Sequence, residues 1–197
     1  MFRRVWWQFF ATGHANRPHD VTENPAKPKP ATFDMTLISV DAAFKSTASG
    51  SRVGMVVIGV VGPWRYVLDN RTRPMTFSET VDQVLALLAD YPQCNRVLIE
   101  DKANGPAIID TLSQRVSGII AVNPQGGKEA RANAMQASVE SGHWLLPEGA
   151  PWVDDFITEF GTFPAGAHND QVDSTSQAAI YLTHGASITR LLGLGKR

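Results

Sequence analysis

Four acidic residues stand at positions that a folded chain could bring together. Asp41 ends the apolar run TLISVD, Glu100 ends RVLIE, and Asp170 and Asp173 open the amphipathic segment DQVDSTSQAAIYL. Carboxylates that share one pocket repel each other, because each negative charge disfavours ionisation of the next, unless divalent cations neutralise them. A fold that unites these residues therefore predicts a metal site.

The kind of donor atom predicts the metal. Ligation by oxygen alone, without a cluster of Cys and His, favours magnesium or manganese over zinc, and a pair of such ions suits phosphodiester cleavage. Cys94 is the only cysteine, which excludes an internal disulfide and a multi-cysteine zinc site. The net charge of -1 gives no overall attraction to nucleic acid, so any polyanion must be held by a local basic surface.

Strand-like and helix-like segments follow each other in an order that predicts an α/β fold. Three antiparallel strands are predicted for TLISVDAAF, RVGMVVIGVVG and WRYVLDNRTR,. A helix over SETVDQVLALLADY, with Ser78 as its N-cap, crosses over to a parallel strand, RVLIE, and SGIIAVNP predicts a fifth strand,. Further helices are predicted for NGPAIIDTLSQRV, KEARANAMQASVESG, WVDDFITEF and DQVDSTSQAAIYLTHG, the last ending at Gly185,. We expect a mixed five-stranded sheet, three antiparallel strands followed by parallel strands, with the first strand central and helices on its flanks.

On this layout Asp41 and Glu100 lie on neighbouring strands, and the first turn of the last helix packs over the same sheet edge. Asp101 follows Glu100, and because strand side chains alternate, only one of the two faces the site. We favour Glu100 because it completes the strand, with Asp101, which could instead cap the next helix, as the second choice. Asp170 and Asp173 share one helical face, although acids in a first turn also suit the helix dipole alone.

Basic residues near the predicted site are candidates for contact with phosphate. Lys128 and Arg131 share a helical face after a glycine pair, beyond a strand that should end at the same edge. Lys45, shortly after Asp41, is a weaker candidate of the same kind. His168 could orient a ligand, contact a phosphate or simply be exposed. We expect these side chains to form the local basic surface.

Composition divides the chain into three parts. Residues 1–33 hold an aromatic segment and a linker rich in proline, residues 34–185 form the predicted domain, and residues 186–197 form a tail,. The aromatic cluster VWWQFF is too large to leave in water, so we expect it to dock on the domain or on a partner outside the chain. No segment reaches membrane-spanning length, which with the single cysteine predicts a soluble protein of a reducing cytoplasm.

Together these motifs resemble the C-terminal nuclease domain of the large terminase subunit of tailed bacteriophages, a member of the ribonuclease H-like superfamily. The resemblance is carried by SVDAAFK, VLIEDKANGPAIID, GGKEARANA, GHWLLP and HNDQVDSTSQAAIYL, and covers about Thr36 to Leu182. It implies a ribonuclease H-like fold and an endodeoxyribonuclease with a two-metal-ion mechanism that cuts concatemeric viral DNA during genome packaging. The metal ligands and catalytic acids of the family fall on Asp41, Glu100, Asp170 and Asp173, which would hold two Mg²⁺ or Mn²⁺ ions.

The resemblance also implies partners, and the chain departs from the family pattern in two respects. Double-stranded DNA would be the substrate, and the terminase ATPase domain, the small terminase subunit and the portal protein would be partners in the host bacterial cytoplasm. The chain has no GxxxxGK[ST] phosphate loop, so ATP hydrolysis is not attributed to it, and we expect an excised domain or a truncated prophage remnant. Asn169 stands where many relatives carry a further acid.

Two alternatives to this interpretation stay open. A Holliday junction resolvase of the same superfamily would use the same acids on branched DNA. A non-catalytic docking module would bind a partner of the packaging complex, and its acids would only cap helices.

Overall fold

The computed structural model of the chain describes residues 1–12, 26–42, 51–103, 105–123 and 125–191, with side chains up to Thr183 in the last helix. The strands are β1 (Gln8–Phe10), β2 (Met35–Asp41), β3 (Ser51–Val61), β4 (Trp64–Asn70), β5 (Arg73–Met75), β6 (Arg96–Glu100), β7 (Ile119–Val122) and β8 (Trp144–Pro147). The helices are α1 (Phe77–Asp90), α2 (Gly105–Ser113), α3 (Lys128–Glu140), α4 (Val153–Thr162) and α5 (Asp170–Leu191).

The predicted five-stranded sheet is confirmed, with the first of its strands in the centre. Its order is β4-β3-β2-β6-β7, in which β2 is antiparallel to β3 and parallel to β6. All residues of β2 after Met35 are buried, as expected for a central strand that is covered on both faces. This order brings the C-terminal ends of β2 and β6 side by side.

Helices cover both faces of the sheet. One apolar core lies between the sheet and α1 and α2, and includes Ile38 and Val40 of β2. A second core lies between the sheet and α3, α4 and α5, and includes Leu37 of the same strand. Adjacent residues of β2 thus belong to opposite cores, as strand alternation requires. No helix in the described part of the chain is both long and apolar enough to cross a membrane.

Three short strands extend the sheet beyond the sequence prediction. β8 pairs in parallel with β4 and with β1, and β5 pairs with the start of β3. All four residues of β8 are buried, so the segment lacks the alternation of apolar and polar residues that identifies a strand in a sequence. β8 therefore depends on its neighbours in the sheet rather than on a local pattern.

The N-terminal aromatic segment docks on the domain, which is the first of the two expected alternatives. Trp7 is fully buried, and its ring makes edge-to-face contacts with Phe156 and Phe160 of α4, at centroid distances of 5.5 and 5.1 Å. Phe2 contacts Phe160 in the same way, at 5.0 Å. The segment before the linker thus completes the core under α4.

Two predicted helix ends are corrected by the structure. The N-cap of α1 is Thr76 rather than Ser78: the Thr76 hydroxyl accepts from the Glu79 backbone N–H, and the Glu79 carboxylate accepts from the Thr76 N–H. This reciprocal pair is a capping box, which satisfies two otherwise unpaired donors. The helix predicted to end at Gly185 continues to Leu191, because one glycine disfavours a helix interior by only about 1 kcal/mol.

Replacing Trp7 by alanine should lower the free energy of unfolding by about 3–5 kcal/mol, because a buried aromatic ring is lost from the core and a cavity remains. Equilibrium unfolding in urea measures the change. Val5→Ala is the control, since Val5 is 71% exposed, and it should leave the unfolding midpoint nearly unchanged. Equal midpoints for the two variants would show that the segment does not stabilise the domain.

Candidate metal centre

The last helix begins directly over the edge where β2 and β6 end. Gly54 of β3, which pairs with Asp41, lies against the first turn of α5. A Cβ atom on Gly54 would lie 2.2 Å from the carbonyl oxygen of Asp170 and 3.0 Å from Ser174 Oγ. The close approach of this helix therefore requires glycine at this position of β3.

Hydrogen bonds fix the helix in this position. The Ser39 hydroxyl of β2 donates to the Ser174 carbonyl at 2.7 Å. The amide nitrogen of Gln177 donates to Ser39 Oγ at 3.0 Å and to the Val40 carbonyl at 3.3 Å. The strand that ends in Asp41 and the helix that carries Asp173 are therefore joined by buried polar contacts.

A cavity of about 300 Å³ opens at this edge. Its wall includes three of the predicted acids, Asp41, Glu100 and Asp173, which come from three different elements. The wall also includes three basic residues, Lys102, Lys128 and Arg131. The fold thus brings together side chains that are up to 132 positions apart in the sequence, from Asp41 to Asp173.

Asp41 is the carboxylate most affected by this crowding. It is 7% exposed, and its pKa is raised from 3.8 to about 7, first by burial and then by the charges of Asp173 and Glu100. The positive charge of Lys128 acts in the opposite direction. A cation bound in the cavity would favour the ionised form of Asp41 in the same way.

Asp173 is held by two cations. Its side chain is 2% exposed, and Arg131 Nη2 lies 3.0 Å from Oδ1. Lys128 Nζ contacts Oδ2 of the same carboxylate and also donates to Asn169 Oδ1 at 3.0 Å. The buried negative charge of Asp173 is therefore fully paired.

Asp170, the fourth predicted acid, lies beside the cavity rather than in its wall. Arg52 Nε is 3.2 Å from Asp170 Oδ2, and Arg52 Nη2 is 3.2 Å from Glu159 Oε2. Burial raises the pKa of Asp170, and the charge of Arg52 opposes that shift. Asp170 still contributes to the negative field at Asp41, so it belongs to the same electrostatic cluster.

Glu159 is a functional candidate that the sequence prediction missed. It is 7% exposed, and its carboxylate accepts from the Gln171 backbone N–H at 2.6 Å, from Gln171 Nε2 at 2.8 Å and from Arg52. Its spacing from Phe156 places it on the buried face of α4. That position was the available signal, because an acid on an apolar helical face requires partners.

The donor set fits a hard divalent cation. Carboxylate oxygens are the ligands that magnesium and manganese prefer, and the wall of the cavity offers no thiolate or imidazole,. In the described part of the chain, no three His, Cys, Asp or Glu side chains are grouped closely enough to form a finished ligand set. The cavity therefore fits a divalent cation in the type of its donor atoms and in the convergence of three acids on one place. Ion binding would require these acids to move closer together.

Comparison with known proteins identifies the family. The sequence profile described as the terminase RNaseH-like domain matches residues 38–182. The chain belongs to this family. The terminase family and ribonuclease H-like fold predicted from the sequence are thereby confirmed, and no curated protein sequence matches the chain significantly.

Solved structures of large terminases share the fold. The nuclease of the large terminase from thermophilic phage G20c, with bound zinc, is 18% identical with a TM-score of 0.58, covering 73% of this chain and 79% of that one. The large terminase nuclease domain of Thermus phage P74-26 is 17% identical, with a TM-score of 0.54 and coverage of 73% and 77%. A longer large terminase, from another thermophilic bacteriophage, is 10% identical with a TM-score of 0.57, covering 76% of this chain, which spans 40% of that protein.

The remaining predicted residues of this terminase domain lie around the centre in different ways. Asp101, the second choice to Glu100, is exposed and does not line the cavity. His168 is also exposed and lines a neighbouring cleft together with Arg52. Lys45 lies outside the described residues. Lys102, which the sequence prediction did not single out, lines the cavity with its Nζ 3.7 Å from Glu100 Oε1.

Gly54→Ala should displace the start of α5 from the terminase sheet and lower the free energy of unfolding by about 1–3 kcal/mol, the usual range for overpacking. Thermal denaturation measures the loss. Gly161→Ala is the matched control, because a Cβ atom there meets only the Phe2 carbonyl, at an ordinary 3.7 Å. If the two variants melt together, Gly54 does not set the position of the helix.

Asp41→Asn should stabilise the terminase domain against heat at pH 8 when EDTA removes divalent ions. The folded pKa of Asp41, about 7, lies above its ordinary value of 3.8, so its contribution to stability is greatest below pH 3.8 and is lost as pH rises through 7. Asparagine carries no charge, so the destabilisation by the ionised carboxylate at pH 8 is absent. The melting temperature at pH 8 should therefore rise by at least about 2 °C.

Melting temperatures of Asp41→Asn and the parent, compared across pH, test whether titration of Asp41 causes the difference. The difference between Asp41→Asn and the parent should shrink as pH falls from 8 towards 4. Asp82→Asn, an exposed site on α1, serves as the control and should follow the parent throughout. A difference that stays constant with pH would mean that titration of Asp41 is not responsible.

Proposed function

We propose that this chain is the nuclease domain of a terminase large subunit, a metal-dependent endodeoxyribonuclease that cuts concatemeric viral DNA during phage genome packaging. The observation that carries the proposal is the convergence of Asp41, Glu100 and Asp173 on one cavity in a member of the terminase RNaseH-like family. The nuclease of phage G20c binds zinc in one structure and cobalt in another. These relatives support a divalent ion as the cofactor of this fold.

Asp41, Glu100, Asp170 and Asp173 would hold two Mg²⁺ or Mn²⁺ ions. Such ions supply an activated water for attack on phosphorus and stabilise the departing 3′ oxygen. Asp41 would be the central ligand of the set, because its pKa responds to the charges of all three other acids. Arg52 and Glu159 position Asp170, since Arg52 contacts the carboxylates of both.

The basic residues of the wall divide into two roles. Arg131 is 6% exposed and pairs with Asp173, so it positions that acid rather than reaching DNA directly. The side chain of Lys128 is 50% exposed and that of Lys102 is 52% exposed, so both are accessible to a phosphate oxygen, and Lys45 stays a candidate of the same kind. Contacts to phosphate carry no base information, so cleavage should be nearly independent of sequence and should weaken with salt.

The longer relative supports the proposed partners. That large terminase, of which this chain spans 40%, was also solved with ADP and with ATP-gamma-S. We propose that an ATPase domain of that kind works with this domain on double-stranded DNA in the host bacterial cytoplasm. The small terminase subunit and the portal protein would complete the assembly.

Asp41→Ala and Asp173→Ala should each lower nicking of supercoiled plasmid, with Mg²⁺ or Mn²⁺ present, by at least about 100-fold, since even outer partners of metal ligands contribute 10- to 100-fold. EDTA should abolish nicking by the parent. Asp82→Ala, exposed on α1, should retain full activity. Cutting by Asp41→Ala at the parent rate would refute the assignment.

Two further measurements separate the alternatives. Faster cleavage of four-way junctions than of linear duplex would favour a resolvase. A docking module predicts no shift in melting temperature with Mn²⁺ and unchanged partner binding after the acids are removed. A terminase nuclease should show a Mn²⁺ shift that Asp41→Ala abolishes and no strong preference for junctions.

A further inference from the structure

Two cations contact the same buried carboxylate, but they are held very differently. Arg131 is 6% exposed and donates to Asp173 Oδ1 at 3.0 Å and to the Gly126 carbonyl at 3.2 Å. Lys128 contacts Oδ2, yet its side chain is 50% exposed and its other partner is Asn169 Oδ1, at 3.0 Å. Arg131 is thus fixed within the wall, whereas the ammonium of Lys128 can leave Asp173 without unpacking a buried stem.

The contact of Lys128 lies where a divalent ion would need an oxygen ligand. Asp173 is one of the three carboxylates in the cavity wall, together with Asp41 and Glu100. An ammonium and a divalent ion at one carboxylate oxygen repel each other strongly, because little water separates charges in a buried site. With Oδ1 already held by Arg131, the two compete for Oδ2.

We propose, on the basis of the nuclease function proposed above, that Lys128 is an exchangeable counter-ion of the metal centre. Its ammonium neutralises Asp173 when no divalent ion is bound and gives up Oδ2 when an ion binds. The released ammonium then pairs with a phosphate oxygen of the DNA backbone at the rim of the cavity. The exchange keeps the buried carboxylate paired in both states, which avoids the large penalty of an unpaired buried charge.

Lys102 offers a matched control for this exchange. It lines the same cavity and its side chain is 52% exposed, but its Nζ lies 3.7 Å from an oxygen of Glu100 rather than of Asp173. Replacing either lysine by methionine keeps a long flexible side chain and removes one positive charge from the cavity. A general field effect would change metal affinity to a similar extent in the two variants, because both lysines line the cavity. Direct competition at Asp173 would instead make the effect of Lys128 clearly larger.

The first test is Mn²⁺ binding to the full chain, measured by calorimetry without DNA after EDTA treatment and dialysis. Lys128→Met should tighten binding by about tenfold, within the usual range for coupled sites. Lys102→Met should tighten it clearly less. Equal tightening by both variants, or none by Lys128→Met, would overturn the exchange.

The second test follows Lys128 in the parent protein by acylation with an amine-reactive ester and mass spectrometry. Added Mn²⁺ should increase the reactivity of Lys128 severalfold relative to Lys29, an exposed lysine outside the cavity. Unchanged reactivity while calorimetry shows bound Mn²⁺ would refute the exchange and leave the nuclease proposal intact. Absence of Mn²⁺ binding to the parent would contradict both proposals.

Discussion

The arrangement of the site depends on the close contact between the first turn of α5 and the central strands. Gly54 leaves space for the Asp170 carbonyl, and the Ser39 hydroxyl donates to the Ser174 carbonyl from the neighbouring strand. Because Asp41 ends that strand and Asp173 lies one turn into the helix, this contact sets the distance between the two acids. A methyl group at Gly54 would collide with the Asp170 carbonyl, so the helix that carries Asp173 could not keep this position.

The close contact between α5 and the central strands also buries carboxylates, whose negative charge must be compensated. An ionised carboxylate in a poorly hydrated site is unfavourable unless hydrogen bonds or cations compensate it. Glu159 is compensated by Arg52 and by donors of Gln171, and Asp173 by Arg131 and Lys128. Asp41 responds instead with a pKa raised to about 7. The strongest demand for a cation therefore falls on Asp41, at the C-terminal end of β2.

The sequence predicted those parts of the fold that have a strong local pattern. The apolar runs of β2, β3 and β6 are long enough to identify buried strands, and their order restricts the topology of the sheet. β8, with the sequence WLLP, is four residues long and buried throughout, so its strand character comes from pairing with β4 and β1. No local pattern in such a segment distinguishes a strand from part of a buried helix.

The convergence of acids was predictable from topology, because residues at the ends of neighbouring parallel strands must lie at one edge, but the partners of these acids were not predictable. Arg52 and Glu159 act through contacts between α4, α5 and β3, and whether Asp170 or Asp173 lines the cavity depends on the rotation of α5, which sequence spacing does not specify.

Asn169, at the position where the resemblance implies a further acid, affects the electrostatics of the site. Its side-chain oxygen accepts a hydrogen bond from Lys128 at 3.0 Å. An aspartate at this position would pair with the same ammonium as a charge, and charge-assisted hydrogen bonds are roughly twice as strong as neutral ones. The neutral amide thus holds Lys128 more weakly and adds no further negative charge beside Asp173. In this chain the amide orients the lysine while leaving Asp173 as its main counter-charge, which is the condition under which a divalent ion could displace it.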